Sequence, residues 1–129
     1  MSVRVREATA KDLPDVMNVL DGAALSSDVA SVRESTASGG TLVAVSEDGE
    51  RILGALVLDG SHIVAVAVRR RRRGQGIGTA LVEAAGARRA RLTAAFDADV
   101  APFYQGLGFE IEDSDEPGRR RGERSLPVE

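Results

Sequence analysis

The 129-residue chain has no cysteine, no tryptophan, one histidine and one lysine, and its four aromatic residues are Tyr104 and three phenylalanines. Without cysteine there is no disulfide framework, no thiolate nucleophile and no covalent route through a cysteine thioester. A single histidine, His62, excludes a multi-histidine metal site, and no metal is expected. No apolar run approaches the roughly 20 residues that a membrane-spanning helix needs. The opening MSVRVREATAKD also lacks the apolar stretch of a signal peptide. A cytoplasmic protein with no membrane association is therefore expected, and the length suits one domain, residues 1–129.

Positive charge is confined as well. The net charge is −3, yet Arg69 to Arg91 hold eight arginines against one acid, Glu83, and a second short basic stretch runs from Arg119 to Arg124. A uniformly basic nucleic-acid binder would spread its charge more widely, so no nucleic-acid partner is expected.

Hydrophobic periodicity sets the order of elements. Val3–Arg6 alternates as a strand, and Thr9 with Asp12 resembles a capping box opening a helix over about 10–22. A more polar helix covers Val29 to Ser38. Strands follow at 41–45, 52–58 and 62–68, the first two joined by a hairpin turn at 47–50. The third, HIVAVAV, is almost unbroken in apolar residues, which predicts burial on both faces. A helix spans Ile77 to Arg89, interrupted by Gly86, then a strand over 92–96, a short helix over 100–107 and a strand over 109–112. Asp97 and Asp99 read as caps of that short helix. The tail from Asp113 to Arg124 reads as a polar loop leading to a last short strand near Ser125. This predicts a single-domain α/β (α+β) fold: a mixed, mostly antiparallel sheet of about six or seven strands with about four helices, ordered β-α-α-β-β-β-α-β-α-β.

Chemistry concentrates in VRRRRRGQGIGTAL, Val68 to Leu81. Glycines between a buried strand and a helix N-terminus leave unpartnered amides near the positive end of the helix dipole, a setting for an anion. A Walker loop would need Lys-Ser/Thr where Thr79-Ala80 stands. A dinucleotide fingerprint would need its third glycine one residue later and the turn after the first strand. Arg73-Gly74-Gln75-Gly76-Ile77-Gly78 instead matches Arg/Gln-x-x-Gly-x-Gly/Ala and resembles the acetyl-CoA loop of the GNAT acetyltransferase superfamily. Val68 stands five residues before the arginine, as in that family. Ala101-Pro-Phe-Tyr-Gln-Gly-Leu-Gly-Phe109 resembles its second signature. Where the family usually has proline near position 70, this chain has Arg70.

The resemblance implies an acyltransferase moving acetyl from acetyl-CoA, as cosubstrate, to a primary amine by direct attack. The acceptor it implies would be a small molecule or a protein amine. Amides from Gln75 to Thr79 would hold the pyrophosphate, with Arg73, Gly74, Gly76, Ile77 and Gly78 completing the loop. Arg69 to Arg72 would face its rim, with one or two meeting the ribose 3′-phosphate. Val66 and Val68 would lie along the thioester, an amide near Val68 donating to the acetyl carbonyl, in a gap where strand 62–68 diverges from 92–96. Tyr104 matches the family's usual general acid; its alternative is an aromatic packed on an amphipathic helix beside Phe103. His62 occupies the position where related histone acetyltransferases place a catalytic glutamate. It would take the proton of the amine directly or through water, or simply mark a strand start. Two other functions fit less of the chain: a non-catalytic acyl-CoA sensor, and a nucleic-acid module built on arginines 69–73. Exposed edge strands leave a homodimer open.

Overall fold

The computed structural model describes residues 3–22, 28–49 and 51–125. The chain runs β1 (Arg4–Glu7), α1 (Leu13–Gly22), α2 (Val29–Ala37), β2 (Thr41–Val45), β3 (Ile52–Asp59), β4 (His62–Val68), α3 (Ile77–Arg88), β5 (Arg91–Asp97), α4 (Ala101–Gly106), β6 (Glu110–Asp113) and β7 (Arg119–Ser125). The strands form one sheet in the order β1-β2-β3-β4-β5-β7-β6. Every neighbouring pair is antiparallel except β4–β5. This is the mixed, mostly antiparallel architecture that the periodicity predicts. Glu50, at the end of the expected hairpin turn, lies outside the described residues.

Helices cover both faces of the sheet, each over its own apolar cluster. On one face α3 sets Ile77, Leu81, Val82 and Ala85 against Leu42, Leu56, Leu92 and Phe96, with Tyr104 and Phe109 from the α4 region. On the other, Val16, Val19 and Leu20 of α1 and Val32 of α2 pack on Val43, Val45, Ala55 and Val57. Strands β2 and β3 lie between the two layers, so Leu42 to Val45 are fully buried. Gly54 makes room for α3: a Cβ there would stand 3.1 Å from Ile77 and 3.2 Å from Leu81.

The tail departs from its expected form. It supplies a full strand, β7, inserted between β5 and β6. Its sequence RRRGERS has no apolar alternation, so periodicity does not find it. Cross-strand chemistry holds it instead. Arg91 meets Glu123 through two bonds of 2.8 and 2.9 Å, and Arg119 meets Asp97 at 2.9 Å. Asp97 thus pairs across the sheet, and its side chain makes no cap hydrogen bond. Gly122 lets β7 pass beneath the aromatic layer, since a Cβ there would lie 3.2–3.3 Å from Phe96, Phe109 and Ile111. Arg124 crosses α3 at Gly86 to reach Glu83 at 3.0 Å, which gives the helix glycine a packing reason.

The chain's entry into α1 is tied by one carboxylate. Asp12 accepts from the Thr9 amide at 2.7 Å and from both terminal nitrogens of Arg6 at 2.8 and 3.1 Å. The Arg6 hydrogen bonds hold its carboxyl at about 2, below the usual 3.8. Because the folded value lies below the unfolded one, the stabilisation is present above pH ~4 and is lost as pH falls toward 2. Arg6 is 38% exposed, so the contribution is reduced by solvent screening. Asp12→Asn is expected to cost about 1–2 kcal/mol at neutral pH, read from urea melts, with the gap from wild type narrowing below pH ~4. A gap that stays constant down to pH ~2.5 would remove this role from the ion pair.

Candidate active site

The site begins with an irregularity in β4. Its ladder with β3 pairs Val57 with Ala65, then Leu58 with Ile63, leaving Val64 as a bulge. A bulge bends its strand and shifts the side-chain alternation by one residue. Accordingly Ile63 packs in the α3-side cluster, whereas Ala65 and Ala67 pack on the α1 side. Beyond the bulge β4 stays with β3 but leaves β5, to which it is paired only through His62↔Thr93 and Ile63↔Ala94. The two parallel strands therefore form a V, closed at His62 and open toward Val68. Val64 is 50% exposed, and Val66 and Val68 are half-buried. Burial of the whole of β4, as its apolar run predicts, is not what forms: Ile63, Ala65 and Ala67 are buried, whereas Val64 is exposed at the bulge and Val66 and Val68 border the open gap.

The backbone facing the V follows from the ladder. Arg69 donates its amide to Leu53 on β3. Alternation along an antiparallel pair then turns the amides and carbonyls of Ala67 and Ala65 toward β3, and those of Val66 and Val68 toward the gap. Arg73 uses one of these groups, its Nε donating to the Val68 carbonyl at 3.2 Å.

At the open end stands the glycine turn. Gly74 and Gly76 have φ of +79° and +82°, the left-handed region that favours glycine, and nothing lies within 4 Å of a Cβ built on either. Gly76 caps α3, whose first helical bond runs from the Ala80 amide to the Gly76 carbonyl at 3.0 Å. The amides of Ile77, Gly78 and Thr79 consequently have no intrahelical acceptor and collect at the positive end of the helix. Open space above the loop and free amides beneath it fit a phosphate group of a coenzyme.

A cavity of about 550 Å³ joins these parts. It is lined by Val66, Val68, Arg73, Gly74, Gly76, Ile77, Gly78 and Thr79, all expected from the sequence, and by Tyr104. Gln75 is in the turn but not in the lining. Arg72, Val100 and Phe103 also line it. Phe103 stands 3.4 Å from where a Gly78 Cβ would be, so a larger residue there would fill the cavity. Val100 lies one helical turn before Phe103 and Tyr104, which are consecutive, and that spacing is the signal the sequence offers for both.

Tyr104 is 7% exposed, stacked on Phe96 at 4.1 Å and edge-on to Phe103 and Phe109. Burial pushes its phenol up to about 12, so it stays protonated throughout the neutral range.

His62 lies outside this cavity, at the closed end of the V. Its neighbour Ile63 faces α3, so the imidazole faces the opposite side of the sheet. There its Nδ1 is 2.9 Å from Thr93 Oγ1, beside a groove shared with Ala95, Glu110 and Glu123. A second groove on this face, under α2, reaches the bulge at Val64. Arg69, Arg70 and Arg71 do not line the cavity of the glycine turn; of the four arginines before Arg73, only Arg72 does. Among the described residues no helix is long and apolar enough to cross a membrane.

The profile of the acetyltransferase (GNAT) domain matches residues 12–129. No curated protein shows significant sequence similarity to the chain. Solved structures do resemble it. Rv2747 from Mycobacterium tuberculosis, in complex with CoA, superposes with a TM-score of 0.79 at 19% identity, over 96% of this chain and 99% of that one. Arabidopsis thaliana Naa50, in complex with the bisubstrate analogue CoA-Ac-MVNAL, gives 0.80 at 20% identity over 98% and 100%. N-acetylglutamate synthase from Neisseria gonorrhoeae, complexed with coenzyme A and N-acetyl-glutamate, gives 0.76 at 16% identity, with 99% of this chain covering 36% of that chain. At these identities the likeness is one of fold.

Proposed function

Because the chain belongs to the GNAT acetyltransferase family, we propose that it moves the acetyl group of acetyl-CoA to a primary amine, with both substrates bound together and the amine attacking directly. The observation that carries this is the V between β4 and β5, which opens onto the glycine turn and Tyr104 within one cavity. The absence of cysteine supports direct attack, since no thioester can form on a cysteine of the chain.

Acetyl-CoA supplies an activated acyl thioester. The chain's residues bind, orient and manage protons around it. Amides of Ile77, Gly78 and Thr79, with Gln75 and Arg73 beside them, hold the pyrophosphate against the helix N-terminus. The backbone groups of Val66 and Val68 that face the gap align the acyl arm, and an amide there donates to the acetyl carbonyl as it gains charge. Tyr104 serves the departing sulfur. Its phenol at about 12 lies above a thiol's usual 8.5 or so, which makes complete transfer to a thiolate uphill. Its contribution is therefore a hydrogen bond donated as the C–S bond breaks.

The acceptor approaches from the face opposite α3, where the grooves beside His62 and Val64 meet the closed end of the V. The Thr93 contact occupies Nδ1 of His62 and leaves Nε2 to accept the proton of the amine through water, since about 13 Å of strand separates His62 from Val66. His62→Ala is expected to lower kcat about tenfold or more with acetyl-CoA affinity unchanged, and added imidazole should restore part of the rate. An alanine enzyme at full speed would pass the proton task to solvent. The decisive assay follows CoA release across a panel of amino acids, polyamines, aminoglycosides and peptides. Bound acetyl-CoA with no release from any amine would favour a sensor of the same fold.

A further inference from the structure

A second cavity, of about 530 Å³, lies on the other side of the Arg70–Arg72 turn from the glycine loop. Its floor includes Val19 of α1 and Leu53 of β3, each 2% exposed. Around this apolar floor stand Arg51, from the β2–β3 connection, and Arg69, Arg70, Arg71 and Arg72, which follow β4; the described lining holds one carboxylate, Asp48. The fold thus gathers five arginines from two segments into one recess. Arg69 is pinned there, its Nε donating to the Ile52 carbonyl at 2.7 Å. Among the described residues Arg51, Arg69, Arg70 and Arg71 form no ion pair, whereas Arg91, Arg119, Arg120 and Arg124 all do.

Like charges over a low-dielectric floor repel one another and focus a positive potential into the recess. Guanidinium forks match phosphoryl and carboxyl oxygens two at a time. The volume is that of a small-ligand site. We propose that this recess is a second anion site, which binds a compact, multiply charged phosphoryl or carboxyl ligand separately from the coenzyme. Arg72 is common to the linings of this recess and the glycine-turn cavity, so the two sites adjoin. Anions held in adjoining sites repel each other, and the coupling is reciprocal: ligand in the recess weakens coenzyme binding.

The experiment is calorimetric titration of the CoA-saturated protein with inorganic tripolyphosphate and, separately, with citrate. CoA saturation keeps these probes off the glycine turn. At least one probe is expected to bind at one site, with affinity falling as salt rises. In the R51Q/R70Q variant, whose changed residues lie outside the coenzyme cavity, the affinity should fall about tenfold, as two charge-assisted contacts are lost. The probe should also raise the Kd for acetyl-CoA in wild type but not in R51Q/R70Q. Binding by tripolyphosphate alone identifies a phosphoryl ligand, and by citrate alone a carboxyl ligand. The proposal is overturned if neither probe binds the CoA-saturated protein, or if R51Q/R70Q binds as wild type does. It is also overturned if only a short DNA duplex is retained through these arginines. Should R51Q/R70Q fail to fold, Arg71→Gln alone tests the same loss.

Discussion

Gly76→Glu is expected to weaken acetyl-CoA binding more than about 100-fold while the protein still folds, because the change places an acid in an anion cradle. Gly76 sits at φ +82° with open space where a Cβ would go, so the new Cβ meets no protein atom. The backbone cost of a non-glycine residue in that conformation is about 1–2 kcal/mol. It is partly offset by the attraction of a carboxylate to the helix N-terminus, about 0.3–1 kcal/mol. The same carboxylate takes the amides of Ile77, Gly78 and Thr79 that the pyrophosphate needs, and repels the phosphates. Gly76→Ala separates the two effects, since it carries the strain without the charge and should lose far less affinity. Calorimetry with acetyl-CoA, beside a thermal melt for each variant, measures both. A Gly76→Glu protein that keeps its affinity within a few-fold would mean that the phosphates bind elsewhere.

Tyr104→Phe is expected to reduce kcat about 100-fold with little change in the Kd of acetyl-CoA, the usual loss when one donor aimed at developing charge is removed. The ring is what the core uses: stacking on Phe96 and edge contacts to Phe103 and Phe109 all survive the substitution. Stability should therefore hold, which separates chemistry from folding. With its phenol at about 12, Tyr104 keeps its proton far above neutral pH. Any alkaline fall in rate below pH ~11 must then come from another group and should persist in the phenylalanine variant. Unchanged kcat in Tyr104→Phe would reduce the residue to the packed aromatic that its surroundings equally describe.

Local pattern made most of the elements legible. The apolar runs of β2 and β3, the spacing of Leu81, Val82 and Ala85 on α3 and the Thr9–Asp12 box all appear where periodicity and capping rules put them. The glycine turn was legible because positive φ and close approach demand glycine itself, so the requirement is written in the residue type. The strand β7 was not, since its stability comes from partners such as Asp97 and Glu83, distant in sequence and now across the sheet or on α3. Asp97 departs from its expected role for the same reason: a carboxylate before a short helix suits a cap until an arginine from elsewhere takes it.

By itself, then, the sequence determined the order of elements from β1 to β6, the glycine turn at the head of α3, the exclusion of cysteine chemistry and the family. Each depends on residue type or short-range spacing, which the chain carries locally. Tertiary structure alone decided that Val64 bulges and β4 leaves β5, and that His62 faces the opposite side of the sheet from Tyr104's cavity. It also decided that Arg69, Arg70 and Arg71 turn away from the coenzyme loop to share a recess with Arg51. Five consecutive arginines look alike in sequence. They are separated only when a turn after β4 gives Arg73 to one cavity, Arg69, Arg70 and Arg71 to the other and Arg72 to both, because side-chain direction depends on backbone that distant strands hold in place.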